Sequence, residues 1–244
     1  RAGELLESKL EQNCDETFSE KFHCSRDAFL YFIRYFSISY FTAFIFLWIG
    51  GNWMYGAALI TTIGCLMALF EFVFYQEFID PLFKKIDCNN ISGIIEPKEG
   101  TQQRVIISGH YDSPYVFRFL NQHQRLYKLR VVLNTFLYLL ITGISLYASW
   151  FQFMNTIEFQ LHPLLLQTFG IGIIFISQYF FFVSWKVSPG AGDNLISASM
   201  VVKLSELFSK NRSAGSPLKH TQLVFLCPDA EESGLRGARE YVKL

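Results

Sequence analysis

Three short stretches of this sequence hold side chains that can bind a metal ion or move a proton. In the first, the apolar run Val105-Ile106-Ile107-Ser108 leads through Gly109 to His110, with Asp112 two residues on. The run reads as a buried strand, so His110 emerges at its carboxyl end. Asp112 points the same way and can accept the other imidazole N–H, which fixes the tautomer of a ligating histidine. In the second, Pro189-Gly190-Ala191-Gly192-Asp193-Asn194 places a carboxylate in a glycine-rich turn directly before a helical pattern. A metal ligand and a plain helix N-cap both suit that position. In the third, the buried strand Val224-Phe225-Leu226-Cys227 runs into Pro228-Asp229-Ala230-Glu231-Glu232-Ser233-Gly234-Leu235. Adjacent carboxylates repel and their side chains diverge, so one can ligate an ion while its neighbour holds the attacking water. A solvated acidic loop is the plain alternative.

The elements that must position these groups alternate between strand and helix. Ala2 to Gln12 spaces Leu5, Leu6 and Leu10 as an amphipathic helix, and Thr17 to Phe22 suits an edge strand. Ile91 to Ile95 and Arg104 to Ser108 read as strands around a Pro97–Gly100 turn. Leu195 to Phe208 repeats apolar residues at Met200, Val201, Leu204 and Leu207, which is helical spacing. Gln222 to Leu226 is a further strand, and a helix begins after Gly234. This order predicts an α/β fold with its chemistry at strand ends.

Charge is distributed unevenly along the 244 residues. Asp, Glu, Lys and Arg are absent from Tyr35 to Phe70, from Val131 to Ile157 and from Phe159 to Trp185. A membrane span needs about 20 mostly apolar residues. Phe29–Trp48 and Trp53–Phe74 form one predicted hairpin, broken at Gly50-Gly51-Asn52, and Val131–Phe151 and Leu164–Trp185 form another, with a far loop from Met154 to Pro163. All four Trp residues lie at the ends of these segments, where the headgroup layer suits them. Two closed hairpins keep the remaining segments on one side, and that side carries Arg34, Lys84, Lys85, Arg118, Arg125, Lys128, Arg130 and Lys186. Both far loops lack Lys and Arg, so the soluble part is expected in the cytoplasm of a multi-pass protein of the cell membrane. With 21 basic and 21 acidic residues, the chain has no charge excess to drive nucleic-acid binding. Its expected partner is the lipid bilayer, and oligomeric state is not legible. The five Cys form no motif and suit reduced thiols.

Taken together and in order, His-x-Asp after a strand, Gly-Ala-x-Asp-Asn before a helix and Ala-Glu-Glu-x-Gly-Leu-x-Gly after the next strand resemble the co-catalytic zinc aminopeptidases of metallopeptidase family 28. The resemblance covers the soluble segments and leaves out the hairpins, the second of which falls between the first two motifs. It implies a zinc-exopeptidase-type mixed sheet interrupted by two transmembrane hairpins. The peptidase parts would be residues 1–28, 76–128 and 187–244, and the hairpins 29–75 and 129–186. It also implies two Zn²⁺ per site, with His110 on one, Glu232 on the other and Asp193 bridging them. Glu231 would be the general base and Asp112 the partner of His110. The implied activity is hydrolysis at the free amino end of a peptide. A glutaminyl-cyclase-like acyltransferase with one zinc, or an inactive membrane scaffold on the same fold, are the alternatives. Leu195-Ile196-Ser197-Ala198 departs from the small Ser-Gly usual there. The further Asp and His ligands that the resemblance implies have no counterpart before Leu244. The expectation is therefore the N-terminal portion of a longer enzyme, with weak zinc binding and no activity of its own.

Overall fold

The computed structural model describes residues 2–155 and 159–243; residues 156–158 of the expected far loop lie outside the described residues. In chain order the elements are α1 (Ala2–Glu11), β1 (Glu16–Cys24), α2 (Tyr31–Ile49), α3 (Trp53–Met67), β2 (Ile86–Ile95), β3 (Gln103–Ser108) and β4 (Tyr115–Phe117). There follow α4 (Arg118–Gln122), α5 (Tyr127–Met154), α6 (Pro163–Ile176), β5 (Val183–Val187), α7 (Ile196–Ser213), β6 (Thr221–Cys227) and α8 (Arg236–Lys243). They belong to two compact units.

The first unit comprises Arg1–Arg26, Phe83–Pro114 and Val187–Leu244. It is a mixed α/β arrangement around a four-stranded sheet in the order β1-β2-β6-β3. β1 runs antiparallel to β2, β2 antiparallel to β6, and β3 parallel to β6. β6 is one of the two interior strands, and its continuous apolar run Leu223-Val224-Phe225-Leu226-Cys227 is buried throughout, as a strand covered on both faces requires. Leu6 and Leu10 of α1 and Ala198 and Val201 of α7 pack with Ile91, Ile95, Leu223 and Phe225 into one core cluster. Each large apolar side chain fully enclosed there stabilises the unit by about 1.5–3 kcal/mol. Leu5 stays exposed although the spacing grouped it with Leu6 and Leu10. Strand β3 departs from expectation more strongly. It lies at the sheet edge, and Val105 and Ile106 are 43% and 51% exposed. An apolar β-branched run reports strand propensity, and nothing in it distinguishes a covered strand from an uncovered one.

The second unit comprises Asp27–Leu82 and Tyr115–Lys186. Four helical stretches in it are long and apolar enough to cross a membrane: Tyr31–Ile49, Trp53–Val73, Gln124–Met154 and Pro163–Phe181. The first pair turns at Gly50 and Gly51, both at positive φ (79° and 55°), a conformation open to glycine at no steric penalty. Small residues admit close helix contacts: a Cβ on Gly64 would meet the Tyr138 hydroxyl, and one on Gly172 the Tyr40 hydroxyl. The fourth stretch ends at Phe181 rather than at Trp185. Val183–Val187 is strand β5, paired with β4 in a separate two-stranded ladder. The Val-Ser-Trp-Lys-Val run there is β-prone and carries Trp185 at φ 56°, which no helix accommodates.

Candidate metal centre

The parallel pairing of β3 with β6 creates the site. Ile106 stands opposite Val224 and Ser108 opposite Leu226, so both strands open at the same edge of the sheet. The pairing continues beyond the ladder: Gly109 N–H donates to Leu226 O (3.1 Å) and Tyr111 N–H to Pro228 O (3.3 Å). His110 is thereby held beside the turn that carries Glu231 and Glu232. Asp193 arrives from the loop before α7. A Cβ on Gly109 would stand 2.7 Å from the Ser197 carbonyl carbon. Only glycine leaves room for the first turn of α7 against the strand end.

Asp112 organises this arrangement. Its side chain is 9% exposed and its two oxygens accept the backbone N–H groups of Glu231 and Glu232, each at 3.1 Å. The same carboxylate lies 3.2 Å from His110 Nδ1. An ionised carboxylate only accepts, so Nδ1 carries the proton and the Nε2 lone pair faces away from Asp112. Nε2 stands 3.6 Å from Asp193 Oδ1 and 3.5 Å from Glu231 Oε2. These separations exceed ordinary hydrogen bonds.

One ligand atom each from His110, Asp193 and Glu232 falls within a common 4.8 Å. With metal–ligand bonds of about 2.1 Å, the edge of a tetrahedron is about 3.4 Å, close to the His110–Asp193 separation. A lone pair and several carboxylate oxygens converging on one point suit a divalent cation. The donor set of imidazole and carboxylate suits Zn²⁺. Among the described residues this is the one His/Cys/Asp/Glu group so arranged.

The electrostatics point the same way. Burial, joined by the neighbouring Asp193, Glu231 and Asp112 carboxylates, pushes Glu232 up to about 7. Burial also raises Glu231; Asp112 and Asp193 add to the effect and His110 opposes it. The site has excess negative charge that a cation would relieve.

All five residues singled out in the sequence come together in this one unit. The capping alternative for Asp193 fails: α7 starts after Leu195, two residues further on, and no side chain caps it. The Asp193–Asn194 peptide is cis. The supporting layer escaped sequence reasoning. Asp229 accepts N–H from Asn89 (3.1 Å) and Ala230 (2.8 Å) and stands 3.2 Å from the Tyr111 hydroxyl, which donates to Asn89 O at 2.7 Å. Asn90 accepts from Asp229 N–H (3.1 Å) and donates to Gly237 O (2.8 Å). These bonds tie the glutamate turn to β2 and α8. Burial raises Asp229 above the usual carboxylate range. Asp229 and Tyr111 flank the motif residues in sequence, yet no spacing separates a turn-closing Asp from a solvated one.

A family model described as peptidase family M28 matches residues 182–244. That stretch holds Asp193, Glu231 and Glu232; His110 and Asp112 lie before it. No curated protein and no solved structure matches the chain.

Proposed function

We propose that this chain, whose residues 182–244 match the model of peptidase family M28, acts as a membrane-bound zinc aminopeptidase that hydrolyses the bond next to a free peptide amino end. The observation that carries the reading is the meeting of His110, Asp193 and Glu232 around one point with Glu231 alongside. His110 and Asp193 would help to hold one ion, and Asp193 and Glu232 a second. A bound ion of this type lowers the pKa of water and polarises a carbonyl. Glu231 accepts the water's proton at its carboxylate and passes it to the departing amine; its raised affinity for a proton suits both transfers. Asp112 holds His110 in the tautomer that leaves Nε2 free to ligate on the side of Asp193 and Glu231. It fixes the backbone of both glutamates at the same time, so ligand and base keep one spacing. The single ligand cluster also suits a one-zinc, glutaminyl-cyclase-like acyltransferase. The charge asymmetry of the helix ends supports a cytoplasmic catalytic unit.

The test uses the full-length protein in detergent or nanodiscs, with zinc content and hydrolysis of amino-acid amides measured on the same sample. Glu231→Gln should abolish turnover at near-normal metal content, because the amide keeps size and loses basicity. Glu232→Gln should lower metal content as well. Equal metal content in the two variants overturns this division of roles, and cyclisation of an N-terminal glutamine without amide hydrolysis favours the acyltransferase.

A further inference from the structure

The second unit contains an apolar cavity of about 440 Å³ that the proposed peptidase chemistry does not use. Along α5 its lining runs from Tyr127 through Val131 and Thr135 to Leu139. At 1.5 Å per residue that is about 18 Å, which gives a mean cross-section of about 24 Å² for this volume. Such a tube takes one extended hydrocarbon chain whose carbons sit about 4 Å from the wall atoms. With bonds of about 1.5 Å in zigzag, 18 Å corresponds to roughly 14 carbons.

Four observations identify the occupant. The cavity borders open sideways: Leu69, Phe72, Val73 and Leu139 line it and are 38%, 50%, 58% and 56% exposed on the apolar outside of the helices. The helix that begins as α3 changes to π-type hydrogen bonding over Ala68–Val73, where Ala68, Leu69, Phe72 and Val73 form the cavity wall. Such turns widen a helix and gather at binding sites. The bordering hydroxyls are engaged within the protein: Tyr138 with Ser39 (2.8 Å) and Thr61 O (3.2 Å), Tyr179 with Thr135 (3.0 Å) and Val131 O (2.9 Å). They offer the occupant no directional bond.

The fourth observation is charge. Arg34 and Arg130 stand in the first turns of α2 and α5, the end at which Leu30, Tyr127 and Val131 line the cavity. Arg34 lies 4.6 Å over the Trp185 ring and Arg130 4.7 Å over Phe119. Arg34 Nε and Arg130 Nη1 are buried without a hydrogen-bond partner, and among the described residues no carboxylate pairs with either arginine. Guanidinium cannot shed its charge, and aromatic faces leave its in-plane N–H groups free for an anion.

We propose that this cavity is a site for one acyl chain of an anionic phospholipid, with Arg34 and Arg130 meeting the headgroup phosphate. The proposal rests on the membrane reading of the four helices. A photoactivatable phosphatidylglycerol carrying a diazirine in its acyl chain, added to the protein in nanodiscs, tests both levels. Labelling should concentrate on Ala68–Val73 and Val131–Leu139. Ala68→Phe and Val131→Phe, each checked for a monodisperse folded species, should cut it about tenfold. Arg34→Gln with Arg130→Gln should erase the preference for this probe over its phosphatidylcholine counterpart, about tenfold for a lost charge-assisted contact. Even labelling of outward residues such as Leu59, Ile171 and Ile174, unchanged by the filling variants, overturns the site and keeps the membrane reading. Absence of labelling on all four helices overturns both.

Discussion

Zinc binding to this site should release a proton that belongs to Glu232, and its amount follows from the structure. In the metal-free site Glu232 titrates at about 7 because it is buried beside Asp193, Glu231 and Asp112. At pH 6 about 0.9 of these carboxyls carry a proton and at pH 8 about 0.1, and a ligand must be ionised to bind. The raised pKa therefore weakens zinc binding as pH falls. Between pH 8 and pH 6 the Glu232 contribution alone lowers apparent affinity about tenfold. Calorimetric titration with zinc in two buffers of different ionisation enthalpy counts the protons released. The wild type at pH 6 should release about 0.9 more than Glu232→Gln, and the two should nearly agree at pH 8; subtracting the variant removes the contribution of every other group. Stability carries the opposite sign without metal. The shift from 4.5 to about 7 favours the empty fold below about pH 4.5, and that contribution is lost as pH rises through about 7. Zinc should thus raise the melting temperature more at pH 8 than at pH 6. Equal proton release by wild type and variant at pH 6 would show that Glu232 is ionised in the free site or does not ligate.

Asp112→Asn puts an NH₂ against one of two backbone N–H groups and should lower zinc affinity about 10- to 100-fold in a chelator competition; a change under about twofold removes Asp112 from its organising position. Gly109→Ala forces a Cβ against Ser197 and should destabilise the first unit by about 1–3 kcal/mol while weakening zinc binding, read by chemical denaturation and metal content. Tyr111→Phe loses the bonds to Asn89 and Asp229 and should cost about 1 kcal/mol, with the glutamate turn exchanging its amide hydrogens faster. With a cytoplasmic catalytic unit, Asn155→Cys should react with a membrane-impermeant thiol reagent on intact cells and Lys98→Cys should not; the reverse pattern inverts the orientation.

How far the sequence reached can be traced through single residues. His110, Asp112, Asp193, Glu231 and Glu232 were nominated because each follows a strand or precedes a helix, and strand ends are where polar groups leave a sheet. The partnership of β3 with β6 was not legible, since residues 103–108 and 221–227 carry no local mark of which strand lies beside which. The apolar Val105-Ile106 pair predicted burial, but exposure depends on what covers an edge. Trp185 was expected to end the fourth apolar helix, but that helical stretch stops at Phe181 and β5 takes its place because its β-prone side chains found a partner in β4. Tyr111 and Asp229 act through backbone groups brought from β2, and a contact across 140 positions leaves no trace in local spacing.

Both apolar hairpins are spliced into the first unit at points where its own chain already meets. Cys24 is paired with Ile86 across the sheet, and Ser188 N–H reaches Pro114 O at 2.9 Å. Once each hairpin has closed, the sheet experiences it as a short link instead of a free coil of some 60 or more residues. For a tenfold shorter effective loop the entropic saving is roughly 2 kcal/mol at each junction. Assembly should accordingly run from lipid outwards: bilayer insertion draws the strand ends together, and only then do β1 and β2, or β3 and the loop bearing Asp193, find one another. The anchor would serve as a folding clamp for the chemistry, and the same adjacency marks 115–186 as a segment that a short turn could replace without moving any ligand.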